Sequence, residues 1–257
     1  MLKKEFSHFT TNDVTDFVLK NTDLYSICYK WSFSPLGDQD KRRTDKLVKH
    51  GYTIVYNSLF KDIRDKEMNI LEIGIETGGS LGLWSDYFYN SKVYGIDILE
   101  NDHLGVPKKN FEEEGIFVEI ADSTNRKEAK NVFKDTKFDI IIDDGSHLLK
   151  DQIATFENFY KKMSQNGMYI VEDFESKDDL IEFCKYANSE AVSKRTNTGF
   201  FFVDLSQFRG RDDDLMAIGT GPDHSLDDIV DKVTDLDKFK YSYLLDLYTI
   251  NANTQTG

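Results

Sequence analysis

The sequence predicts an α/β fold, a doubly wound and mostly parallel sheet of seven strands. Two observations predict it. From residue 69 onward, short apolar runs alternate with longer amphipathic stretches, and each run is continuous enough to be buried on both faces of a sheet. Each run also ends on glycine or an acid, the residues that bound strands at turns. Strands and helices in alternation are typical of a parallel sheet covered by helices on both sides.

The elements follow one another in readable order. The strand candidates are NILEIGI, KVYGIDI, IFVEIAD, FDIIIDD and GMYIVED. The clearest helix candidate is DQIATFENFYKKMSQNG, in which Ile153, Phe156 and Met163 share one face and Gly167 is a stop signal. A further helix is predicted over ESKDDLIEFCKYANSE. GFFFVDLSQF and DDLMAIGT flank the polar RGRDD and predict an antiparallel hairpin at the end of the sheet, which completes the seven strands.

The chain is predicted to have three parts. Residues 1–65 form a helical extension, in which a Thr-Asn-Asp triplet can cap a helix and HGYTIVYNSLFKDI has helical spacing. Residues 66–222 form the core that contains the sheet. Residues 223–257 form a C-terminal helical extension with a frayed NANTQTG tail. The amphipathic pattern of this last part would suit a homo-oligomer.

Composition argues against several classes of protein. The chain has 257 residues, with 32 Lys and Arg against 46 Asp and Glu, for a formal net charge of -14. So acidic a surface would repel a phosphate backbone, which argues against a nucleic-acid partner. Cys28 and Cys184 lie far apart and suit a reducing cytoplasm without a disulfide framework. Because no run approaches roughly 18 to 20 apolar residues and no signal-peptide core is found, neither a membrane span nor secretion is expected.

The first binding motif is the glycine turn in LEIGIETGGSLGLW. In an open parallel sheet, ligands bind beyond the carboxyl ends of the strands, and glycines there let the backbone approach a ligand closely. The spacing differs from the dinucleotide motif GxGxxG, which argues against an NAD-dependent dehydrogenase. A purely structural turn is the alternative. The residues assigned to cofactor contact at this turn are Glu72, Gly74, Gly78, Gly79 and Ser80.

Acids close the next two strands. Asp97 ends YGID about 20 residues beyond the glycine turn, where an acidic side chain can accept both ribose hydroxyls of an adenosine ligand. Asp122 follows IFVEIA, with Ser123 beside it, and is placed to face an adenine amino group. Each acid alone could be a helix cap. Together, at successive strand ends after a glycine turn, they favour an adenosine cofactor.

The stretch FDIIIDDGSH (138–147) ends a buried strand on two acids. Asp144 closes this strand, and Glu172 and Asp173 close the next predicted one, so a right-handed crossover places three carboxylates side by side. Carboxylates so close repel one another unless one is protonated or a cation is bound. A hard divalent ion such as Mg²⁺, which takes oxygen ligands, is therefore predicted there. Asp143 is expected to face the cofactor or a backbone donor.

These stretches resemble the class I S-adenosylmethionine-dependent methyltransferases. LEIGIETGGSLGLW, KVYGIDI, FDIIIDDGSH and GMYIVEDF, with TDKLVKHGYTIVYNSLF upstream, look like the metal-dependent sugar O-methyltransferases of the macrocin and mycinamicin type and their relatives in polysaccharide gene clusters. The resemblance covers residues 42–175. It implies S-adenosylmethionine as the cofactor and S-adenosylhomocysteine as its product. It also implies Mg²⁺ at Asp144, Glu172 and Asp173, with His147 as the general base.

His147 is assigned as the base because an alcohol is a poor nucleophile until its proton is removed. Imidazole titrates near neutrality, and the turn at Gly145 and Ser146 brings the ring back toward the metal. Taken one at a time, these features favour structural explanations, since DDG is a common turn, Glu-Asp a common helix start and a lone histidine usually a satisfied polar residue. Their joint order and spacing favour the catalytic interpretation.

The upstream series TDKLVKHGYTIVY resembles one that in the family folds over the active site, so residues 1–65 are expected to cover it. Arg43 stands where the family usually has glycine, and the local turn is therefore expected to differ. The second-rank candidates for substrate or cofactor contact in this series are Thr44, Asp45, Lys46, His50, Tyr52 and Tyr56.

The resulting hypothesis is a cytoplasmic, Mg²⁺-dependent O-methyltransferase that acts on a sugar hydroxyl. Its acceptor would be a small-molecule sugar, a sugar nucleotide or an oligosaccharide, in surface-polysaccharide or glycosylated natural-product biosynthesis. One alternative is an enzyme of the cephalosporin-type branch that modifies a non-sugar small molecule. The other is a non-catalytic protein that binds an adenosine cofactor, against which the intact set of mutually repelling acids argues.

Overall fold

The structure is a computed structural model that describes residues 23–32, 42–99, 108–206, 210–234 and 246–249. The predicted Thr-Asn-Asp cap and the NANTQTG tail lie outside the described residues. None of the helices described in these ranges is both long enough and apolar enough to cross a bilayer.

One sheet contains the strands of the described chain. They are β1 (Asn69–Ile73), β2 (Lys92–Asp97), β3 (Ile116–Ile120), β4 (Phe138–Asp143), β5 (Met163–Val171), β6 (Gly199–Asp204), β7 (Leu215–Thr220) and β8 (Asp246–Thr249). Their order is β3-β2-β1-β4-β5-β7-β6-β8. Strands β1 to β5 pair in parallel, and β7 lies antiparallel between β5 and β6. The predicted doubly wound sheet with an antiparallel hairpin is thus confirmed in β1 to β7.

The eighth strand corrects an expectation. A helix was predicted over HSLDDIVDKVTDLDKFKYSYLLDLYTI, but Asp246–Thr249 instead pairs antiparallel with β6, with Thr249 opposite Phe201. The edge of a sheet presents unpaired N–H and C=O groups, and the short DLYT segment pairs with them. In the described part of residues 223–257, the helix covers Leu226–Thr234.

Helices lie on both sides of the sheet. They are α1 (Asp23–Ser32), α2 (Thr53–Phe60), α3 (Gly79–Tyr87), α4 (Lys108–Glu113), α5 (Arg126–Asn131), α6 (Leu149–Phe159), α7 (Lys177–Ala187), α8 (Glu190–Thr196) and α9 (Leu226–Thr234). The predicted helix DQIATFENFYKKMSQNG ends earlier than expected. A 3₁₀ turn (Tyr160–Lys162) follows α6, and Met163 already begins β5, where the pairing with β4 changes register. The apolar Met163 side chain is buried by the sheet and not by the helix face.

Alternate residues of each strand face opposite helical layers. Ile70 and Ile142 pack with α1, α2, α3 and α9, whereas Leu71 and Ile141 pack with α5, α6 and α7. Because side chains alternate along a strand, neighbouring residues near the strand ends point to opposite sides of the sheet. Glu72, in register with Ile142, therefore faces the layer of α1 to α3.

Candidate active site

A cavity of about 690 Å³ lies at the carboxyl ends of β1 to β5, the edge at which ligand binding is predicted. Small-molecule sites typically measure about 300 to 1,000 Å³, so the cavity has room for a ligand of that size. The sequence-predicted residues that line it are Thr44, Asp45, Gly74, Ser80, Asp97, Asp122, Ser123, Asp143, Asp144, His147 and Asp173. Within the described chain, the other predicted residues lie outside this lining, namely Lys46, His50, Tyr52, Tyr56, Glu72, Gly78, Gly79 and Glu172.

Two glycines of the turn are required for different reasons. Gly74 has a φ of 88°, and a Cβ there would clash with the carbonyl group of Asp144. It thereby allows the loops after β1 and β4 to touch. A Cβ on Gly79 would instead clash with the backbone of Arg43. Besides the cofactor contact that the glycine pattern predicts, the lack of a side chain at Gly79 allows the N-terminal segment to pack closely against α3.

Arg43 docks on this turn through its backbone. Its N–H donates to the hydroxyl oxygen of Thr77 at 3.2 Å, and the Thr77 hydroxyl lies 3.2 Å from the Arg43 carbonyl, to which it donates. The Arg43 side chain is exposed at the cavity. An arginine is therefore accommodated where the family usually has glycine, because its backbone docks on the turn and its side chain extends to the cavity.

The acids at the ends of β2 and β3 stabilise nearby loops through hydrogen bonds. Asp97 Oδ2 accepts the N–H groups of Ile75 at 2.7 Å and Glu76 at 3.1 Å, so it holds the start of the glycine turn in place. Asp122 Oδ1 accepts from both the N–H and the hydroxyl of Thr124. Both side chains also line the cavity, and a carboxylate has more acceptor sites than these bonds use. The two predicted roles, loop cap and ligand contact, are therefore compatible.

Three side chains converge on the cavity and are called the cavity-facing trio: Asp144, His147 and Asp173. Their metal-binding atoms lie within 4.8 Å of one another. The side chains are 22%, 35% and 17% exposed, respectively. His147 and Asp173 have φ values of 63° and 54°, and such left-handed conformations in residues with side chains are costly and cluster at functional sites.

The ring of His147 has a defined orientation. Its Nδ1 lies 3.2 Å from the carbonyl oxygen of Asp173 and 3.8 Å from Asp173 Oδ2. Because a carbonyl oxygen can only accept, Nδ1 carries the hydrogen, and in a neutral ring Nε2 is the acceptor.

Behind the trio, a buried ammonium holds three acids. The Lys46 cluster consists of Lys46, Glu72, Asp144 and Glu172. Lys46 Nζ lies 2.8 Å from Asp144 Oδ2 and 3.4 Å from Glu72 Oε1, and it forms an ion pair with Glu172. Burial lowers the pKa of Lys46, but these carboxylates outweigh it and hold the pKa well above its usual value. Burial, followed by the neighbouring acids, raises the pKa of Glu172 against the pull of Lys46.

Two tyrosines of the N-terminal segment donate hydrogen bonds to the acids at the end of β5. The Tyr56 hydroxyl donates to Glu172 Oε1, and the Tyr52 hydroxyl donates to Asp173 Oδ1. Both tyrosine side chains are buried. They therefore reach the acids from within the protein, although the sequence suggested contact with cofactor or substrate.

His50 is a buried cation beside the trio. Its Nδ1 lies 2.6 Å from Asp214 Oδ1 and 3.5 Å from Asp173 Oδ1, and its ring stacks on Tyr52 with centroids 5.1 Å apart. Burial lowers the pKa of His50, but hydrogen bonds to Asp214 and Asp45 outweigh it and raise the pKa to about 10. His50 is therefore a positively charged neighbour of Asp173 at neutral pH.

Asp143 points to the opposite side of the sheet from Glu72. It is 2% exposed, lines the cavity, and Oδ2 has no hydrogen-bond partner among the described residues. Burial, and then the charge of Asp144, raise its pKa well above the usual range, while the N–H of Gly145 opposes them. The prediction that Asp143 faces the cofactor or a backbone donor agrees with this position at the cavity wall.

Sequence reasoning missed two residues of this region. Gln152, in the first turns of α6, lines the cavity and donates its amide to the Glu172 carbonyl at 3.1 Å. Asp214, fully buried directly before β7, pairs with His50. The sequence signal for Asp214 was the acidic run after RGR, which is equally typical of a solvated hairpin tip.

The arrangement fits a divalent cation in part. Asp144 and Asp173 offer hard oxygen ligands toward the cavity, with His147 beside them. Glu172, the third predicted ligand, faces Lys46 and Tyr56. The cavity wall of glycine turn, Asp97 and Asp122 likewise fits an adenosine cofactor, whose ribose and amino groups need such acceptors.

Comparison with known proteins places the chain in a family. The model of the FtsJ-like methyltransferase family matches residues 55–219. A curated 8-demethyl-8-alpha-L-rhamnosyl tetracenomycin-C 2'-O-methyltransferase of Streptomyces olivaceus is 30% identical over 141 residues, 52% of this chain and 35% of that protein. Mycinamicin VI 2''-O-methyltransferase of Micromonospora griseorubida is 29% identical over 132 residues, 48% of this chain and 31% of that protein. The chain thus aligns with about a third of the length of these relatives.

Solved structures with similar folds include the MycE methyltransferase of the mycinamycin biosynthetic pathway in complex with Mg and SAH. It is 24% identical, with a TM-score of 0.49, and the match covers 67% of this chain and 45% of that one. A putative caffeoyl-CoA O-methyltransferase from Staphylococcus aureus is 16% identical, with a TM-score of 0.49, covering 82% of this chain and 98% of that one.

Proposed function

The chain belongs to the FtsJ-like methyltransferase family, and we propose that it transfers a methyl group from S-adenosylmethionine to a sugar hydroxyl with the help of a divalent metal ion. Curated relatives that are about 30% identical are named for O-methylation of sugars on natural products, which supports a sugar acceptor. The acceptor would be a glycosylated small molecule, a sugar nucleotide or a surface-polysaccharide precursor, and the cytoplasm would supply both substrates.

The observation that carries the proposal is the cavity-facing trio. Asp144 and Asp173 bring two carboxylates and His147 brings an imidazole to one point of a cavity that Gly74 of the glycine turn and Asp97 also line. His147 and Asp173 both have left-handed backbone, and because such conformations cluster at active sites and ligand-binding positions, they support a functional site at the trio.

In this proposal, the cofactor and the metal ion would have separate tasks and would be held by different residues. When bound, S-adenosylmethionine supplies the methyl group, and a divalent ion promotes loss of the hydroxyl proton and offsets the charge on the sugar oxygen. Asp144 and Asp173 would hold the ion, whereas Glu172 faces Lys46 and Tyr56 and lies outside the cavity lining. The residues that would hold the cofactor are Gly74, Ser80, Asp97, Asp122, Ser123 and Asp143.

His147 performs the proton transfer in this proposal. Since Nδ1 is held by the Asp173 carbonyl, Nε2 accepts the proton of the sugar hydroxyl. The Asp173 backbone thus fixes the tautomer of the base, while its carboxylate faces the metal position.

The proposal is tested with a panel of sugar nucleotides, oligosaccharides and glycosylated natural products and methyl-labelled S-adenosylmethionine, in Mg²⁺ or in EDTA. We expect label in a sugar acceptor in Mg²⁺, its loss in EDTA, and S-adenosylhomocysteine binding without NAD binding. Full transfer in EDTA would remove the metal from the proposal. Label found only in non-sugar acceptors would favour the cephalosporin-type alternative, and cofactor binding without any transfer would favour a binding protein.

A further inference from the structure

Lys46 contacts the acids of its cluster from the side away from the cavity. Its ammonium lies 2.8 Å from Asp144 Oδ2 and 3.4 Å from Glu72 Oε1, and it is paired with Glu172. The side chains of Lys46, Glu72 and Glu172 are at most 2% exposed. The ammonium is therefore a fixed charge, because moving it into water would leave three acids without their cation.

The oxygens of these acids are unequally available. Glu172 accepts from Lys46 through Oε2 and from the Tyr56 hydroxyl through Oε1, and its side chain is buried outside the cavity lining. Asp144 accepts from Lys46 through Oδ2 but is partly exposed at the cavity, where Asp173 lies beside it. Asp144 is thus the acid that belongs both to the Lys46 cluster and to the cavity-facing trio.

We propose that Lys46 is a built-in counter-ion that reserves Glu72 and Glu172 for the fold, leaves Asp144 and Asp173 open to a divalent ion, and weakens the binding of that ion by repulsion. The inference rests on the proposed function, because it concerns the metal of the same site. Two cations that share Asp144 in a poorly solvated environment repel one another strongly. Lys46 is therefore a positioning residue, which sets where the ion binds and how readily it exchanges.

The test is a titration with Mn²⁺, in which the electron paramagnetic resonance signal reports the free ion. We expect Lys46→Met to bind Mn²⁺ about tenfold more tightly than wild type, since a positive charge is removed beside the ion. Lys49→Met is the matched control, because it removes the same charge from an exposed lysine of the same segment; we expect a change below about threefold. A merely structural defect would weaken binding, so unchanged or weaker Mn²⁺ binding in Lys46→Met would overturn the proposal.

A second pair of variants tests the proposal in case Lys46→Met does not fold. Asp173→Asn should weaken Mn²⁺ binding about tenfold or more, and Glu172→Gln about threefold or less; equal weakening would overturn the proposal. If wild type binds no Mn²⁺ and Lys46→Met does, the metal dependence of the proposed function fails while the role of Lys46 stands. If neither binds the ion, both fail.

Discussion

The cavity-facing trio and the Lys46 cluster share Asp144, yet they differ in exposure, in backbone conformation and in ion pairing. The trio is partly exposed, lines the cavity and includes two residues with left-handed backbone. The Lys46 cluster is otherwise buried and made of an ion pair network. Glu172 and Asp173 are adjacent in sequence but belong to different groups, because the strand pleat and the positive φ of Asp173 turn their side chains apart.

This difference teaches that one acidic patch in a sequence can serve two purposes. Exposure lets the trio meet ligands, so changes there should alter chemistry and leave folding largely intact. Burial makes the Lys46 cluster and its tyrosines part of the core, so changes there should lower the free energy of unfolding.

The largest effect is expected at His147. His147→Ala should reduce kcat about 10³-fold, roughly 4 kcal/mol, because in the proposed function the two carboxylates of the trio hold the metal ion and only His147 is left to take the proton. Initial rates with the best acceptor of the panel measure kcat, and calorimetry with S-adenosylhomocysteine measures cofactor affinity, which should stay within about threefold. Near-normal turnover in His147→Ala would remove His147 as the base.

His50 should link the two regions through pH. Its pKa of about 10 lies above the usual His value, so its charged form stabilises the protein fully below about pH 6.5, and this contribution is lost as pH rises through 10. We expect His50→Gln to lower the free energy of unfolding by about 3 kcal/mol at pH 6.5 and by much less near pH 10. Urea unfolding of wild type and His50→Gln between about pH 6.5 and 10 measures this difference in the free energy of unfolding.

His224 is the control for this experiment. Burial lowers its pKa, so its neutral form is favoured and its stabilisation is lost as pH falls below the usual His value. His224→Gln should therefore leave the pH dependence of the free energy of unfolding unchanged between about pH 6.5 and 10 and change it only at lower pH. A difference between wild type and His50→Gln that does not vary with pH would contradict the charged state of His50.

The buried side is tested with two tyrosines. Tyr56→Phe should lower the free energy of unfolding by about 2 kcal/mol, because it deprives buried Glu172 of a hydrogen bond. Tyr169→Phe is the matched control on β5, since the hydroxyl of this buried tyrosine has no hydrogen-bond partner among the described residues. It should change the free energy by less than about 0.5 kcal/mol or stabilise the protein. Equal effects in denaturant unfolding would contradict the pairing of Tyr56 with Glu172.

The smallest effect is expected at Lys49. It pairs with Asp45 at 3.0 Å, but both side chains are about half exposed. Because exposed ion pairs contribute little, Lys49→Ala should change the free energy of unfolding by less than about 0.5 kcal/mol, and added salt should change it little further. A loss above 1 kcal/mol in thermal or urea unfolding would show that exposure is not what separates the two regions.

Much of the fold was readable from the sequence. The runs that became β1 to β5 are mostly apolar segments in alternation with helical ones, a pattern typical of a buried parallel sheet. The end of α6 and the strand at Asp246–Thr249 were not readable. Local pattern at MSQNG is compatible with either element, and β8 depends on the edge of β6, which no local pattern reveals.

The candidate site was predicted less completely. Asp97, Asp122, Asp144 and Asp173 line the cavity because strand ends meet there, a rule that sequence spacing captures. The pairing of His50 with Asp214 joins residues 164 positions apart, and no spacing rule predicts it. The assignment of metal ligands and base remains a prediction that the Mn²⁺ titration and the His147 variant test.

The sequence by itself determined the strand ends, and hence which acids and which histidine meet at one edge of the sheet, because hydrophobic periodicity and strand alternation are local properties of the chain. Only the tertiary structure decided that Lys46, Tyr52 and Tyr56 approach these acids from the buried side. It also decided that the side chain of Glu172 faces this buried side while that of Asp173 faces the cavity. Those outcomes depend on the docking of residues 42–60 against the sheet. Burial and charge then determine which carboxylates stay open to a ligand, and neither is a property of any single segment.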